Sequence, residues 1–262
     1  MILQKKRLLI TGVRNRRSLA HAVAVSALAQ GAQLAFAVQP VDKAHDKTTA
    51  ILNEDFPGAP VLQCDAANDD AIEAAVTAAA TALGGLDGLL HAIAFANRES
   101  ISGGYHEHID RDGFALALDI SAYTMTAFAK AALPHLSAGG SLVTLTYLGA
   151  ERALPNYNVM GVAKAALEAS VRYLAFSMGK DNVRVNAVSA GPVKTLAAAG
   201  IGDFSKILKQ VQQQAPLKRN ISADEVGDAV AFLFSDLSRG ISGEVVHVDA
   251  GFHITAGFNE EQ

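Results

Sequence analysis

Tyr147, Tyr157 and Lys164 fall within one short stretch, YLGAERALPNYNVMGVAK. A phenol and an ammonium held near each other can donate, hold or stabilise a proton. On a helix, the seven residues from Tyr157 to Lys164 make about 700° of rotation, about 20° short of two turns, with a rise of about 10.5 Å. The two then share a face but stand too far apart to touch near their backbones. Such a pair suits a phenol and an ammonium that reach different parts of one ligand. Taken alone, the same residues also fit a core tyrosine and a snorkelling lysine.

The elements needed to position them are legible along the chain. Short apolar runs at 7–11, 33–38, 60–64, 88–94, 141–146, 184–189 and 244–249 read as strands, several of them apolar on every side. Helical patterns alternate with them: 18–30, capped by Ser18 and closed by Gly31, and the Ala-rich 70–83. This alternation predicts one domain over 1–262, an α/β Rossmann-like fold with a doubly wound parallel sheet of about seven strands and helices on both faces. No repeat, low-complexity tract or linker divides it.

In such a sheet, ligands bind beyond the carboxyl ends of the strands, with a pyrophosphate at a helix N-terminus. The first strand runs into TGVRNRRSLA, with Gly12 followed by a loop and a helix opening at Ser18, but without the G-x-G-x-x-G spacing. A plain turn glycine fits this loop as well. Gln39 ends the second strand, where an uncharged amide can hydrogen-bond ribose hydroxyls, and Asp65 follows the third, placed to accept an adenine amine. Solvated strand-end side chains are the other reading of both.

The chain has 262 residues, half of them hydrophobic, and a net charge of −4. Nothing in that balance points to nucleic acid or an anionic membrane surface. Cys64 is the single cysteine, which excludes an internal disulfide framework and any multi-cysteine metal site, so no metal is expected. It reads as a small buried residue at a strand end. The N-terminal apolar run is too short for a signal sequence or a span, which reads as soluble and cytoplasmic.

Gly12 with Ser18-Leu19-Ala20, Gln39, Gln63-Cys64-Asp65, the run 91–96, the 147–164 stretch, RVNAVSAGPVKTLAA and ISGEVVHVDAG together carry a resemblance over nearly the whole chain. The sequence resembles the short-chain dehydrogenase/reductases, and within them the bacterial enoyl-[acyl-carrier-protein] reductases, NADH-type. Most members of that superfamily place a Tyr four residues before the Lys and a Ser thirteen before that Tyr. Here those positions hold Met160 and Tyr147. The enoyl-reductase pattern, Tyr-x6-Lys with a tyrosine in the serine's place, stands instead.

The resemblance implies reduction of the trans-2 double bond of an enoyl thioester by hydride from NADH, the last reductive step of fatty acid elongation. Hydride goes to the β-carbon, so charge develops on the thioester oxygen, and a phenol moved one turn along the helix, to Tyr157 from the position of Met160, is the reasonable donor. Tyr157 would stabilise that enolate, and Lys164 would bind the nicotinamide ribose. Tyr147 would line the pocket beside the nicotinamide. Ala96, Tyr147 and Tyr157 would contact the substrate. NAD(H) would be held by Gly12, Ser18, Leu19 and Gln39 at the adenosine and phosphate end, with Asp65, Ala66 and Ile93 beyond. Val193 would meet the carboxamide and Thr195 the pyrophosphate, with Lys194, Leu196 and Ala197 completing that side. A lid around 193–215 would cover the substrate.

The implied partners are acyl carrier protein, bearing the thioester, and further copies of this chain in a homotetramer packed through the last strand and the apolar faces at 123–133 and 163–177. Two other readings compete: an alcohol/ketone oxidoreductase of the same fold, opposed by Met160 and Tyr147, and a non-catalytic NAD(H)-binding sensor, opposed by the Tyr157/Lys164 pair.

Overall fold

The computed structural model describes residues 1–40, 42–195 and 204–256. Seven strands form one parallel sheet in the order β3-β2-β1-β4-β5-β6-β7. They are β1 (Arg7–Thr11), β2 (Gln33–Val38), β3 (Val61–Gln63), β4 (Leu86–His91), β5 (Leu136–Thr146), β6 (Arg184–Ala190) and β7 (Val245–Val248). The order reverses between β1 and β4, whose registers run from Leu8 opposite Gly88 to Ile10 opposite Leu90. At that reversal the crossovers leave in opposite directions and open a crevice beyond the strand ends.

Alternating strand residues feed two cores. Leu8, Ile10, Phe36, Leu90 and Val188 face one side, against α1 (Leu19–Ala29), the end of α2 (Asp42–Asp55) and α8 (Ala223–Phe234). Leu9, Ala35, Leu89, Leu142 and Val185 face the other, against α3 (Asp69–Leu83), α5 (Thr124–Ala132) and α6 (Asn158–Met178). Both faces are covered, which is why the strands read as continuous apolar runs. The remaining helices are α4 (Arg111–Leu118) and α7 (Phe204–Gln214).

Three sequence expectations are adjusted. The fourth strand begins at Leu86 and stops at His91, and the fifth starts earlier, at Leu136. Ser18 is the residue before α1, but its hydroxyl caps nothing in the helix; it turns back to accept the amides of Arg14 (3.0 Å) and Asn15 (3.1 Å). The third concerns Tyr157, which precedes α6 rather than lying within it.

Candidate active site

Gly12 follows β1 with φ +82°, a left-handed conformation, and a Cβ there would collide with the Ala92 carbonyl. Only glycine lets the loop cross the end of β4 so closely. Beyond it, the Ser18 hydroxyl holds the loop and leaves the first-turn amides of α1 uncapped by a side chain. Gln39 is exposed at the end of β2, and its Oε1 accepts from Arg14 Nη1 at 2.8 Å. A small hollow lined by Val13, Arg14, Val38, Gln39 and Thr48 sits between them. Asp65 spends one carboxylate oxygen on the Ala67 amide at 3.0 Å, which leaves the other outward. These groups lie at the carboxyl ends of β1, β2 and β3, and they fit a dinucleotide: a tight glycine turn, a helix N-terminus and strand-end acceptors.

The 147–164 stretch runs from the exit of β5 into the start of α6. Tyr147 directly follows β5, and Tyr157 stands at the N-terminal boundary of α6, with Asn156 (φ 59°) and Asn158 (φ 42°) left-handed on either side. A turn, not helical phase, therefore sets the direction of the Tyr157 ring. Asparagine tolerates that conformation better than other side chains. The ring meets Tyr147 edge to face with centroids 5.0 Å apart. On its other side, a Cβ at Gly149 would strike the Tyr157 ring, so glycine is required there too. Burial raises the pKa of both phenols, and Tyr147 and Glu168 add to the effect at Tyr157. Both are protonated donors at neutral pH.

Lys164 is buried within α6, and its Nζ donates to the Leu145 carbonyl at 2.7 Å. Burial lowers its pKa to about 8, with Glu168 opposing the shift. Glu168 is itself buried and accepts a 2.6 Å hydrogen bond from Thr146 Oγ1. Nearby, His91 ends β4 fully buried between Thr144 Oγ1 (2.9 Å) and Thr124 Oγ1 (2.8 Å). Burial, with Lys164 adding repulsion, pushes it down to about 3, so it stays neutral.

Ile93 and Ala96 are half-buried in the segment that leaves β4, and Ala66 is half-buried after β3. Val193 is half-buried, Lys194 exposed and Thr195 half-buried after β6, with the Thr195 amide donating to the Val193 carbonyl at 2.8 Å. Leu196 and Ala197 lie outside the described residues. Cys64 is buried, and burial beside Asp65 pushes its thiol up to about 11. The hydrogen-bonding groups missed in sequence are Ser121, Thr124, Thr144, Thr146 and Glu168. Polar residues at buried positions of apolar elements were their only signal.

Among the described residues, no cluster of His, Cys, Asp and Glu could hold a metal ion, and no helix is long and apolar enough to cross a membrane.

Residues 12–253 match the family model described as Enoyl-(Acyl carrier protein) reductase. The enoyl-acyl-carrier-protein reductase (NADH) FabI of Bacillus subtilis is 50% identical over 97% of this chain and 98% of its own length. The enzyme of the same description from Escherichia coli K12 is 48% identical over 97% and 96%. Among solved structures, the enoyl-acyl carrier protein reductase of Bacillus cereus, with NADP+ and an indole naphthyridinone, superposes with a TM-score of 0.93 at 46% identity, covering 97% of this chain and 99% of that one.

Proposed function

The chain belongs to the Enoyl-(Acyl carrier protein) reductase family, and we propose that Tyr157 and Lys164 carry its reaction. The enzyme reduces the trans-2 double bond of enoyl-acyl-carrier-protein thioesters with NADH, the reductive step that closes each round of fatty acid elongation. NADH supplies the hydride when bound. The observation that carries the residue assignment is the Tyr157 ring, fixed between Tyr147 and Gly149 at the exit of β5.

Tyr157 donates its hydroxyl to the thioester oxygen, where charge develops as hydride reaches the β-carbon. A donor aimed at that oxygen in a dry site is the kind of interaction that grows in the transition state. Lys164, whose Nζ is held at the Leu145 carbonyl, would hydrogen-bond the nicotinamide ribose and add positive charge nearby. Tyr147 lines the same pocket and restrains the Tyr157 ring. Ala96 walls the acyl side. Gly12, Ser18, Leu19 and Gln39, with Asp65, Ala66 and Ile93, hold the rest of the cofactor, and Val193, Lys194 and Thr195 its nicotinamide side. The alcohol/ketone alternative is disfavoured because Met160, buried and without a hydroxyl, stands where its tyrosine would be.

Several finer assignments extend this reading. Residues around 193–215, including α7, act as a substrate lid. The enzyme works in the cytoplasm as a homotetramer. Among the described residues, the outer edge of β7 has no partner strand, and α6 presents Tyr173 and Phe176, 77% and 88% exposed, on its outward face. Aromatic side chains so exposed on one helix suit a face covered by another copy, and light scattering at micromolar concentration is expected to give four times the chain mass.

The test of the reaction class is loss of NADH absorbance with crotonyl-thioester set against acetoacetyl-thioester. Turnover of the first alone is expected; preferential turnover of the second would assign the alcohol/ketone reaction.

A further inference from the structure

Strand β4 ends at His91, and its last pairing with β5 is His91 opposite Thr144. The chain continues through Ala92 to Ala96 without a neighbouring strand, yet this is the segment given to cofactor and substrate in the reading above. Its backbone groups find other partners. The Ala92 amide donates to Thr11 Oγ1 at 3.2 Å. At Phe95, the amide donates to Ser121 Oγ at 3.0 Å, and Ser121 Oγ donates to the Phe95 carbonyl at 3.1 Å. In extended chain, the N–H and C=O of one residue point the same way. One hydroxyl thus takes both bonds that a paired strand would have supplied.

The placement of that hydroxyl depends on an irregular helix. Between α4 and α5 the chain makes a π-helical turn, Asp119–Tyr123, with Ser121 at its centre and fully buried. The next residue of the helix, Thr124, is bonded to His91 Nε2 at 2.8 Å and back to the Ile120 carbonyl at 2.8 Å. The π turn and the first residue of α5 are therefore tied to the end of β4, through Thr124 to His91, and to the chain four residues later, through Ser121 to Phe95. A single wide turn inside a helix costs regular hydrogen bonding and is frequent at functional sites. The Phe95 side chain is 50% exposed, so the segment is gripped from beneath and open above. Ser121 Oγ also lies 3.8 Å from Met160 Sδ, the residue standing in the alcohol enzymes' tyrosine position.

We propose that Ser121 is a positioning residue for the reaction: it substitutes for a missing strand and fixes the 92–96 segment as the wall shared by nicotinamide and enoyl thioester. This rests on the reductase reading above. Removing the hydroxyl leaves the Phe95 amide and carbonyl without their partner, so the wall loosens while the sheet and the adenosine end stay as they are.

The experiment compares wild type, Ser121→Ala and Ser121→Thr with NADH and trans-2-octenoyl-cysteamine. Ser121→Ala is expected to lower kcat/KM for the enoyl substrate at least tenfold, mainly through KM, with the NADH dissociation constant from fluorescence titration within twofold. Ser121→Thr, which keeps the hydroxyl, is expected to recover most of the loss. Hydrogen-exchange mass spectrometry of the 92–97 peptide needs no turnover, and exchange there should be at least tenfold faster in Ser121→Ala while β1 and β6 peptides are unchanged. If the threonine variant does not fold, that exchange pattern with the KM effect of the alanine variant carries the test. Unchanged exchange at 92–97, or faster exchange with unchanged kinetics, would overturn the proposal. Absence of enoyl reduction by wild type would instead strike the reductase reading.

Discussion

The rings of Tyr147 and Tyr157 meet edge to face with centroids 5.0 Å apart, and burial keeps both phenols protonated. Tyr157 is thus a fixed donor at neutral pH, and Tyr147 is its support. Tyr157→Phe is expected to lower kcat about a hundredfold, as for loss of one oxyanion donor. The dissociation constant for NADH should stay within twofold. Lys164→Ala is expected to do the reverse, weakening NADH binding strongly. If fluorescence titration shows both variants raising mainly the cofactor dissociation constant, the division of roles is wrong.

With Lys164 assigned to the cofactor ribose, the reaction is expected to have an alkaline limit. Its pKa in the folded chain is about 8, against 10.5 ordinarily, because burial disfavours the ammonium. The charged form therefore predominates below about 8 and is lost above it. For the free enzyme, kcat/KM for NADH is expected to be flat below that pH and to fall above it. Glu168 opposes the shift, so Glu168→Gln should move the falling limb to lower pH. The linkage to stability has the opposite sense. Between about 8 and 10.5 the unfolded chain binds more protons at this site, so its unfavourable contribution shrinks as pH rises. A profile that stays level to pH 10 would remove Lys164's charge from the account.

At the adenosine end, Arg14 donates to Gln39 Oε1 and leaves the Gln39 amide hydrogens for ribose oxygens. NADH is expected to be preferred over NADPH, because no basic side chain replaces Gln39 at the strand end. Arg14, bonded to Gln39 at that strand end, is the group expected to meet a 2′-phosphate from the poorer cofactor. Arg14→Ala should depress kcat/KM for NADPH at least fivefold more than for NADH. A wild-type kcat/KM for NADPH equal to that for NADH would contradict the preference.

The proposed carrier partner is expected to be acidic, and residues 194–219 hold Lys194, Lys206, Lys209, Lys218 and Arg219 against Asp203. Asp203 lies outside the described residues. Arg219 is occupied by Glu225 at 2.7 Å and Lys218 by the Gln213 carbonyl at 3.1 Å. Lys206 and Lys209 are exposed on α7, whose Val211 is buried on the opposite side. Replacing both by Glu should raise KM for carrier-bound substrate several-fold, more at low salt, and leave acyl-cysteamine substrates unchanged. Equal effects on both substrate types would place the charges in the fold of α7 instead.

The strand count, sheet class and family were legible because parallel strands are apolar throughout and because the tyrosine spacing is unusual. Helical periodicity put Tyr157 on α6, whereas it precedes the helix, between the left-handed Asn156 and Asn158 that set its direction. Ser18 has the type and place of a cap, but its oxygen accepts the Arg14 and Asn15 amides of the preceding loop instead. The π turn carrying Ser121 has no signature in hydrophobic period, since it differs from the helix around it by one residue per turn. Long-range pairs such as Thr146 with Glu168 join elements 22 residues apart, and no local pattern announces them.

The central claim is that hydride goes to the β-carbon of an enoyl thioester, and isotope transfer tests it most directly. Turnover of trans-2-octenoyl-cysteamine with NADH carrying two deuteriums at C4 is expected to give the saturated thioester with one deuterium at C3 and none from the cofactor at C2. A product with deuterium at C2, a deuterated hydroxyacyl product from the matching 3-oxo thioester in preference to it, or no transfer from NADH would contradict the account.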